Sequence, residues 1–446
     1  MKKRTFLSIF FFLLFLGTFF CYCFYHSYHH IQIDSVTFLK YDGTKETMQI
    51  EIKKINSFFH KKFQCEAKDD KGNVLTSNGE QNHCLLDLSM NEHYLISIYE
   101  DEIRSKEFDS NNIKKKELSF QNDHLYLGIG EIVSIKSLLK EESDSTFYST
   151  NESFFKVDGA TLIGLEKGTA YLYSEDSVNQ LTITVTDLVT KPTLLGENKP
   201  SLTCGIVSSE ENDMLDEMLE QRIAKAGYQT RAGAVAAARF LTMQFRYKIA
   251  YFYENGRIHE SGVNYADGEG RYYHKGLYLS EKKFDSLEAV YSGPSTWGCP
   301  LWNWEDEPAY GYYKGTKMPN GLDCSGFVSW VLKNAGFDPG DIGAGETEYP
   351  QQMTDLGEFV PLTDDLIYSN KIKVGDLFNI WGHISILVGM DEDHFYIAES
   401  LQNYGGVVVR TYTKENVKQW FSYVVLMDSY YKEDGNHTEI WNDQVL

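Results

Sequence analysis

The sequence is poor in positive charge. It carries 42 lysine and arginine residues against 64 aspartate and glutamate residues, so its formal net charge at pH 7 is −22. Proteins that bind nucleic acid neutralise phosphates with clustered lysine and arginine, and a chain this acidic is repelled by anionic polymers and lipid surfaces alike. The composition therefore excludes nucleic acid as a partner. Attachment to a charged surface must come from a specific feature of the chain.

The signatures of metal and phosphate sites are also lacking. The 12 histidines are scattered, and neither C-x-x-C, H-E-x-x-H nor a glycine-rich phosphate loop occurs. We therefore predict no metal ion and no cofactor. With 446 residues, of which 42% are hydrophobic and 24% charged, the chain has the composition of an ordinary globular protein of two to four domains.

One long apolar run stands at the N-terminus. Residues 5–25 carry no charge over 21 positions and follow the basic start MKKR. This is the length that an α-helix needs to cross ~30 Å of hydrocarbon, and the basic residues favour a cytoplasmic N-terminus. A cleaved signal peptide is the alternative, but the end of the run is bulky rather than small. We predict that residues 1–30 are a single-pass membrane anchor, with the rest of the chain extracellular.

Cysteine is scarce, with seven residues, two of them in the apolar run. The five others are Cys65, Cys84, Cys204, Cys299 and Cys324. Because five is odd, at least one of these thiols has no partner within the chain. We predict a disulfide between the first two, which lie in one segment, and a second between the next two. Cys324 is then the thiol left over.

The first half of the chain reads as β-structure. Residues 31–115 alternate apolar and polar positions between DG, DKG and NGE turn signals, which predicts a small β-sandwich. Residues 116–190 continue with strands and turns, and their glycine pattern and final alternating strand resemble the bacterial Ig-like repeat of surface proteins. Residues 191–204 contain two prolines and read as a linker.

Helical signals begin after the linker, in a predicted domain over residues 205–430 with a polar tail at 431–446. Ser208 and Glu211 form a capping signature ahead of an apolar face at helical spacing. An aromatic-rich stretch, at about 256–318, interrupts this domain and is predicted to be an insertion beside a cleft.

Residues 320–330, NGLDCSGFVSW, place Cys324 at the start of a helical apolar pattern. Asp323 is a suitable N-cap residue, which puts the cysteine in the first turn. Unpaired N–H groups and the helix dipole favour an anion there, so we expect a lowered thiol pKa. Ser325 and Gly326 are small, and we expect an accessible sulfur.

A base for this thiol is predicted in residues 374–400, VGDLFNIWGHISILVGMDEDHFYIAES. The segment reads as a tight turn and three strands, with His383 at the start of the second strand, 59 residues after Cys324. A helix that packs on this sheet can bring its N-terminus to the histidine. His394 reads as a generic loop histidine.

Together, NGLDCSGFVSWVLKNAG, KVGDLF and GHISILVG resemble the NlpC/p60-type cell-wall cysteine peptidases, over about residues 320–400. The resemblance implies a papain-like α+β domain that hydrolyses a peptide bond in peptidoglycan stem peptides, between D-glutamate and the diamino acid. It implies Cys324 as nucleophile and His383 as general base. The predicted fold is thus multidomain: an N-terminal transmembrane helix, two small all-β Ig-like domains and a C-terminal α+β papain-like peptidase domain.

The third polar residue of the family, often histidine, has no identical counterpart here. Glu399 is the nearest group that can accept from the imidazole, with Asn403 or no third residue as alternatives, because a one-residue offset in a strand reverses the face. The family's upstream tyrosine corresponds to Tyr251 or Tyr310. We also expect Asp323 and Ser325 near the substrate.

The predicted function is a membrane-anchored, extracellular peptidoglycan endopeptidase whose partners are stem peptides and, through residues 5–25, the membrane. An amidase or transpeptidase on the same scaffold is one alternative. A non-catalytic cell-wall binding or adhesion protein is the other.

Overall fold

The structure is a computed structural model, and the residues that it describes are 15–18, 30–41, 45–55, 62–80, 83–89, 92–100, 103–113, 118–174, 177, 179–194, 198–251, 306, 308, 313–317, 319, 321–337, 339, 342 and 356–436. The chain divides into two compact units. One comprises Met1–Leu125, Val133–Ile163 and Thr169–Ile183, and the other Tyr126–Ile132, Gly164–Gly168 and Thr184–Leu446.

The described residues from 30 to 190 are strands joined by turns and two short 3₁₀ turns, Ser110–Asn112 and Ile135–Leu138. The strands in chain order are β1 (His30–Tyr41), β2 (Lys45–Ile55), β3 (Gln64–Asp69), β4 (Val74–Asn78), β5 (His83–Ser89), β6 (Tyr94–Glu100), β7 (Ile103–Arg104), β8 (Phe108–Asp109), β9 (His124–Ile129), β10 (Ile132–Ser134), β11 (Phe147–Ser149), β12 (Phe155–Asp158), β13 (Thr161–Gly164), β14 (Gly168–Ser174) and β15 (Gln180–Thr190).

These strands form four small sheets. The first two have the orders β1-β2-β5 and β4-β3-β6-β7, with β8 also paired to β6. Strand β5 shows why the segment folds this way, since Cys84, Leu86 and Leu88 alternate inward while the residues between them face solvent. The other two sheets have the orders β10-β13-β12 and β11-β14-β15-β9. Several small sheets of this kind are compatible with Ig-like domains.

The next elements are the described helices of the second unit. They are α1 (Ser209–Ala226), α2 (Arg231–Arg239), a π-helix (Phe240–Gln244), α3 (Cys324–Asn334), α4 (Asp364–Ile367) and α5 (Asp428–Tyr431), with 3₁₀ turns at Gln402–Tyr404 and Val417–Gln419. The capping box predicted at Ser208 and Glu211 opens α1, with both reciprocal hydrogen bonds present.

One antiparallel sheet carries the rest of this unit. Its strands are β16 (Glu358–Pro361), β17 (Leu377–Ile380), β18 (His383–Met390), β19 (His394–Leu401), β20 (Gly406–Thr413) and β21 (Tyr423–Leu426), in the order β16-β21-β17-β18-β19-β20. Both of its faces are buried, which explains why the central strands read as nearly continuous apolar runs.

Helix α3 packs against β18 and β19. Its residues Phe327, Trp330 and Val331 are fully buried in one core with Ile384 and Ile386 of β18. This packing brings the first turn of α3 to the start of β18.

A buried ion pair fixes the turn that precedes β17. The side chains of Arg231 on α2 and Asp376 in the turn are each 1% exposed, and their Nη1 and Oδ1 atoms lie 2.8 Å apart. The same Oδ1 accepts the Met427 N–H, and the other carboxylate oxygen accepts the Lys373 N–H. Both oxygens of the Asp376 carboxylate therefore accept hydrogen bonds. These contacts fix the turn before β17 and, through it, the hairpin of β17 and β18.

The prediction of an N-terminal transmembrane helix is corrected. Of the predicted anchor, the structure describes a helical segment only at residues 15–18, and the remainder of 1–30 lies outside the described residues apart from residue 30. No helix within the described ranges is both long enough and apolar enough to span a bilayer.

The prediction of an α+β papain-like domain is also wrong, because the described chain is mostly β-sheet. Even in the second unit, six β-strands form the main layer. Helical periodicity is confined to a few segments, whereas β-branched and aromatic residues fill β18 to β21 and favour strands.

Candidate active site

The site begins with Cys324, the first residue of α3. Asp323 is the N-cap residue, and its Oδ1 accepts the Gly326 N–H at 2.7 Å and the Ser325 hydroxyl at 3.2 Å. The cap satisfies one of the unpaired N–H groups of the first turn. The N–H groups of Cys324 and Ser325 remain directed at the sulfur.

The sulfur of Cys324 lies against the backbone on both sides of His383. It donates a long hydrogen bond to the Gly382 carbonyl at 3.9 Å, and the Ile384 N–H donates to it. Gly382 has a φ of 77° in the two-residue turn that joins β17 to β18, a conformation that glycine adopts without steric cost. This tight hairpin places the backbone of His383 beside the thiol.

The expectation of an accessible, acidic thiol is wrong. Cys324 is 7% exposed. Burial, which removes water from around the thiolate, raises the thiol pKa from 9.0 to about 12, and the Asp323 carboxylate acts in the same direction. Hydrogen bonds from the N–H groups of Ile384, Ser325 and Cys324 oppose these effects without outweighing them. In the structure the sulfur is therefore a protonated thiol at neutral pH.

His383 pairs with Glu399. Its Nε2 lies 2.8 Å from the Glu399 Oε2, and the side chains are 15% and 1% exposed. Residues two apart on a strand share a face, so His383 lies on the side of β18 that Leu387 buries, and Glu399 on the side of β19 that Ile397 buries. The strand offset that left Glu399 open at the sequence level is thus resolved by the contact. The imidazole also stacks on Phe421, with ring centroids 6.2 Å apart.

The other oxygen of Glu399 is held by residues of β20. The Tyr412 hydroxyl donates to Oε1 at 2.5 Å, and Arg410 Nη1 lies 3.5 Å from the same oxygen. Burial, followed by the neighbouring Glu399 carboxylate, raises the pKa of Tyr412 far above its ordinary value, so the hydroxyl stays a donor.

The remaining predicted site residues are distributed as follows. Ala250 precedes Tyr251 and accepts the Leu322 N–H at 3.0 Å, which places the backbone of Tyr251 close to the segment that enters α3. Asn403 is exposed in a 3₁₀ turn, and His394 pairs with Asp391 instead of the thiol. Tyr310 and most of the insertion at 256–318 lie outside the described residues.

The described cysteines outside the site are in disulfides. Cys65 and Cys84 are joined by a disulfide between β3 and β5. Cys204 is disulfide-bonded, while its predicted partner Cys299 lies outside the described residues. Among the described cysteines, Cys324 is free.

Sequence reasoning missed Arg410 and Tyr412. They stand two apart in GVVVRTYT, so one face of an otherwise apolar strand carries two polar groups. That spacing is a usable signal, but only pairing with β19 reveals which carboxylate they meet. Among the described residues, no group of three or more histidine, cysteine, aspartate or glutamate side chains is arranged to hold a metal ion.

Comparisons with known proteins add no relative. The chain matches no known family model, and no curated protein matches it significantly.

Proposed function

We propose that this protein is a cysteine peptidase of the NlpC/p60 kind, which hydrolyses peptidoglycan stem peptides between D-glutamate and the diamino acid. The observation that carries the proposal is the placement of Cys324, His383 and Glu399. The sulfur contacts the Gly382 carbonyl and the Ile384 N–H, the peptide groups on either side of His383. The imidazole Nε2 is hydrogen-bonded to Glu399. A thiol, a base and a carboxylate that orients the base are the groups that acyl transfer to sulfur requires.

The proposed reaction has two steps. His383 takes the thiol proton as the Cys324 sulfur attacks the scissile carbonyl carbon, and the imidazolium then gives that proton to the leaving amine as the C–N bond breaks. The first product is a thioester on Cys324. Water then attacks the thioester with His383 as base, which releases the carboxylic acid and restores the thiol. Glu399 stabilises the imidazolium in both steps.

The proposed setting is outside the cytoplasm. The Cys65–Cys84 disulfide supports it, because structural disulfides persist in oxidising compartments. An acidic protein also approaches an anionic wall only through specific contacts, which suits recognition of a defined peptide.

The test is digestion of purified peptidoglycan by the full-length protein, with the released fragments identified by mass spectrometry. We expect fragments cut within the stem peptide from the wild type and none from Cys324→Ala or His383→Ala. His394→Ala is the matched control, since that histidine also begins a strand and pairs with a carboxylate. Equal digestion by the wild type and Cys324→Ala would contradict the proposal.

A second candidate is a wall-binding protein without catalysis. The burial of Cys324 and its raised pKa favour it, because a protonated thiol is a poor nucleophile. This candidate predicts that the protein co-sediments with peptidoglycan and releases no fragment.

A further inference from the structure

The carboxylate of Glu399 is held from two sides. Its Oε2 faces His383 Nε2 at 2.8 Å, and its Oε1 accepts the Tyr412 hydroxyl at 2.5 Å. Rotation of the carboxylate would break both contacts. Because the side chain is 1% exposed, water cannot replace either partner.

Arg410 also supports this arrangement. It lies two residues before Tyr412 on β20, on the same face of the sheet. Its Nη1 donates to the Tyr412 hydroxyl oxygen at 2.6 Å and lies 3.5 Å from Glu399 Oε1. A buried carboxylate needs a compensating charge, and this guanidinium is the cation that contacts it.

The guanidinium is itself fixed by aromatic rings. The Arg410 Cζ lies 4.4 Å from the ring centroid of Tyr404, 4.9 Å from that of Tyr412 and 5.1 Å from that of Trp420. Stacked guanidinium groups lose little further freedom when they form hydrogen bonds. The charge is therefore in place before any substrate binds.

Strand register explains how three distant residues meet. Strand β20 pairs with β19 so that Arg410 lies opposite Ile397 and Tyr412 lies opposite Phe395. Glu399 lies two residues after Ile397, on the same face of the sheet. Glu399, Arg410 and Tyr412 therefore form one row of polar side chains, which ends at the His383 imidazole.

We propose that Arg410 and Tyr412 are positioning residues for His383, acting through Glu399, an inference that rests on the proposed function. They hold the Glu399 carboxylate in one orientation, in which its Oε2 accepts the hydrogen of His383 Nε2. The unprotonated Nδ1 is then the nitrogen that accepts the Cys324 proton. Neither residue touches the reacting atoms.

The experiment compares Tyr412→Phe and Arg410→Lys with a matched control, Tyr396→Phe. The Tyr396 hydroxyl also donates to a carboxylate, that of Asp391 at 2.7 Å, and Tyr396 lies on the opposite face of β19 from Glu399. For each full-length variant, kcat and KM are measured on a soluble stem-peptide fragment. The imidazole ¹⁵N resonances of His383, which distinguish the two neutral tautomers, are measured without substrate.

We expect Tyr412→Phe to lower kcat about tenfold or more with KM nearly unchanged, since a hydrogen bond to a buried charge is lost. We expect Arg410→Lys, which keeps the charge and loses the stacked fork, to lower kcat by a smaller factor. In Tyr412→Phe, the ¹⁵N spectrum should change from the pure Nε2–H tautomer to a mixture. Tyr396→Phe should match the wild type in both measurements.

A Tyr412→Phe variant with wild-type kcat and a wild-type ¹⁵N spectrum would overturn the inference. If no form of the protein cleaves the fragment, yet the tautomer is fixed in the wild type and mixed in Tyr412→Phe, the positioning stands and the proposed function fails. A kcat loss that Tyr396→Phe shares would show a general structural effect and overturn the inference as well.

Discussion

Alkylation of Cys324 by iodoacetamide should be slow near neutral pH and should accelerate steeply as the pH rises. Only the thiolate reacts, and burial with the Asp323 charge raises the thiol pKa from 9.0 to about 12. Each pKa unit changes the thiolate fraction tenfold, so below about pH 9 the folded protein holds about a thousandfold less thiolate than the unfolded chain.

The assay follows carbamidomethylation of the Cys324 peptide by mass spectrometry between about pH 7 and about pH 10, in the native protein and in concentrated urea. Cys65 and Cys84 are bridged and serve as unreactive internal references without reductant. Steric protection alone would lower the native rate equally at every pH. The alkylation rate of an ordinary thiol levels off above its own pKa. With a raised pKa, the native rate instead keeps rising across the whole pH range of the assay. A native rate that levels off at about pH 9, as that of an ordinary thiol does, would refute the reasoning.

Asp323→Asn separates the two causes of the raised pKa. Asparagine keeps an oxygen that caps the Gly326 N–H, while it removes the charge that opposes the thiolate. The native alkylation rate should therefore increase, by about tenfold for each unit that the pKa falls. Asp365→Asn, at an exposed carboxylate in the first turn of α4, is the control and should leave the rate unchanged.

Three further predictions concern stability. Asp376→Ala should lower the free energy of unfolding by about 3–5 kcal/mol in urea titrations, because it leaves Arg231 buried without the buried carboxylate that it pairs with. The Lys199 ammonium is buried against the Leu241 and Thr242 carbonyls, and burial lowers its pKa from 10.5 to about 7. The unfolded chain then binds more protons between these values, so the stability of the wild type relative to Lys199→Met should rise across that pH range, with the exposed Lys140→Met variant showing no such trend. Cys84→Ser opens a bridge between residues 19 apart and should cost about 3 kcal/mol, seen as faster amide exchange in β3 and β5.

Local features of the site could be predicted from sequence because short-range chemistry determines them. Asp323 caps α3 since a carboxylate before an apolar helical pattern has one favourable place to bond. His383 begins β18 since glycine before it permits a two-residue turn. These rules act over a few residues, and they locate each group within its own element.

Features that depend on pairing between distant segments could not be predicted. Glu399 faces His383 only because β19 lies beside β18 in one register, and Tyr412 reaches Glu399 only because β20 lies beside β19. A shift of one residue in either pair would turn these side chains to the opposite face. The balance of strand over helix in residues 205–430 could not be predicted for a related reason, since the resemblance covers only about residues 320–400 and the strands pair over longer distances.

For the proposed peptidase reaction, the raised pKa of Cys324 changes the order of events. A preformed thiolate would let His383 act only as the acid for the leaving amine. A protonated thiol instead requires that proton transfer to His383 accompany attack on the carbonyl, so the orientation of the imidazole affects the first step as well as the last. An imidazole whose Nε2 is already bonded to Glu399 has a single nitrogen left for that transfer. In this proposal the buried thiol and the two residues behind Glu399, Arg410 and Tyr412, are therefore parts of one requirement: the less acidic the nucleophile, the more the reaction depends on a base that is held in place.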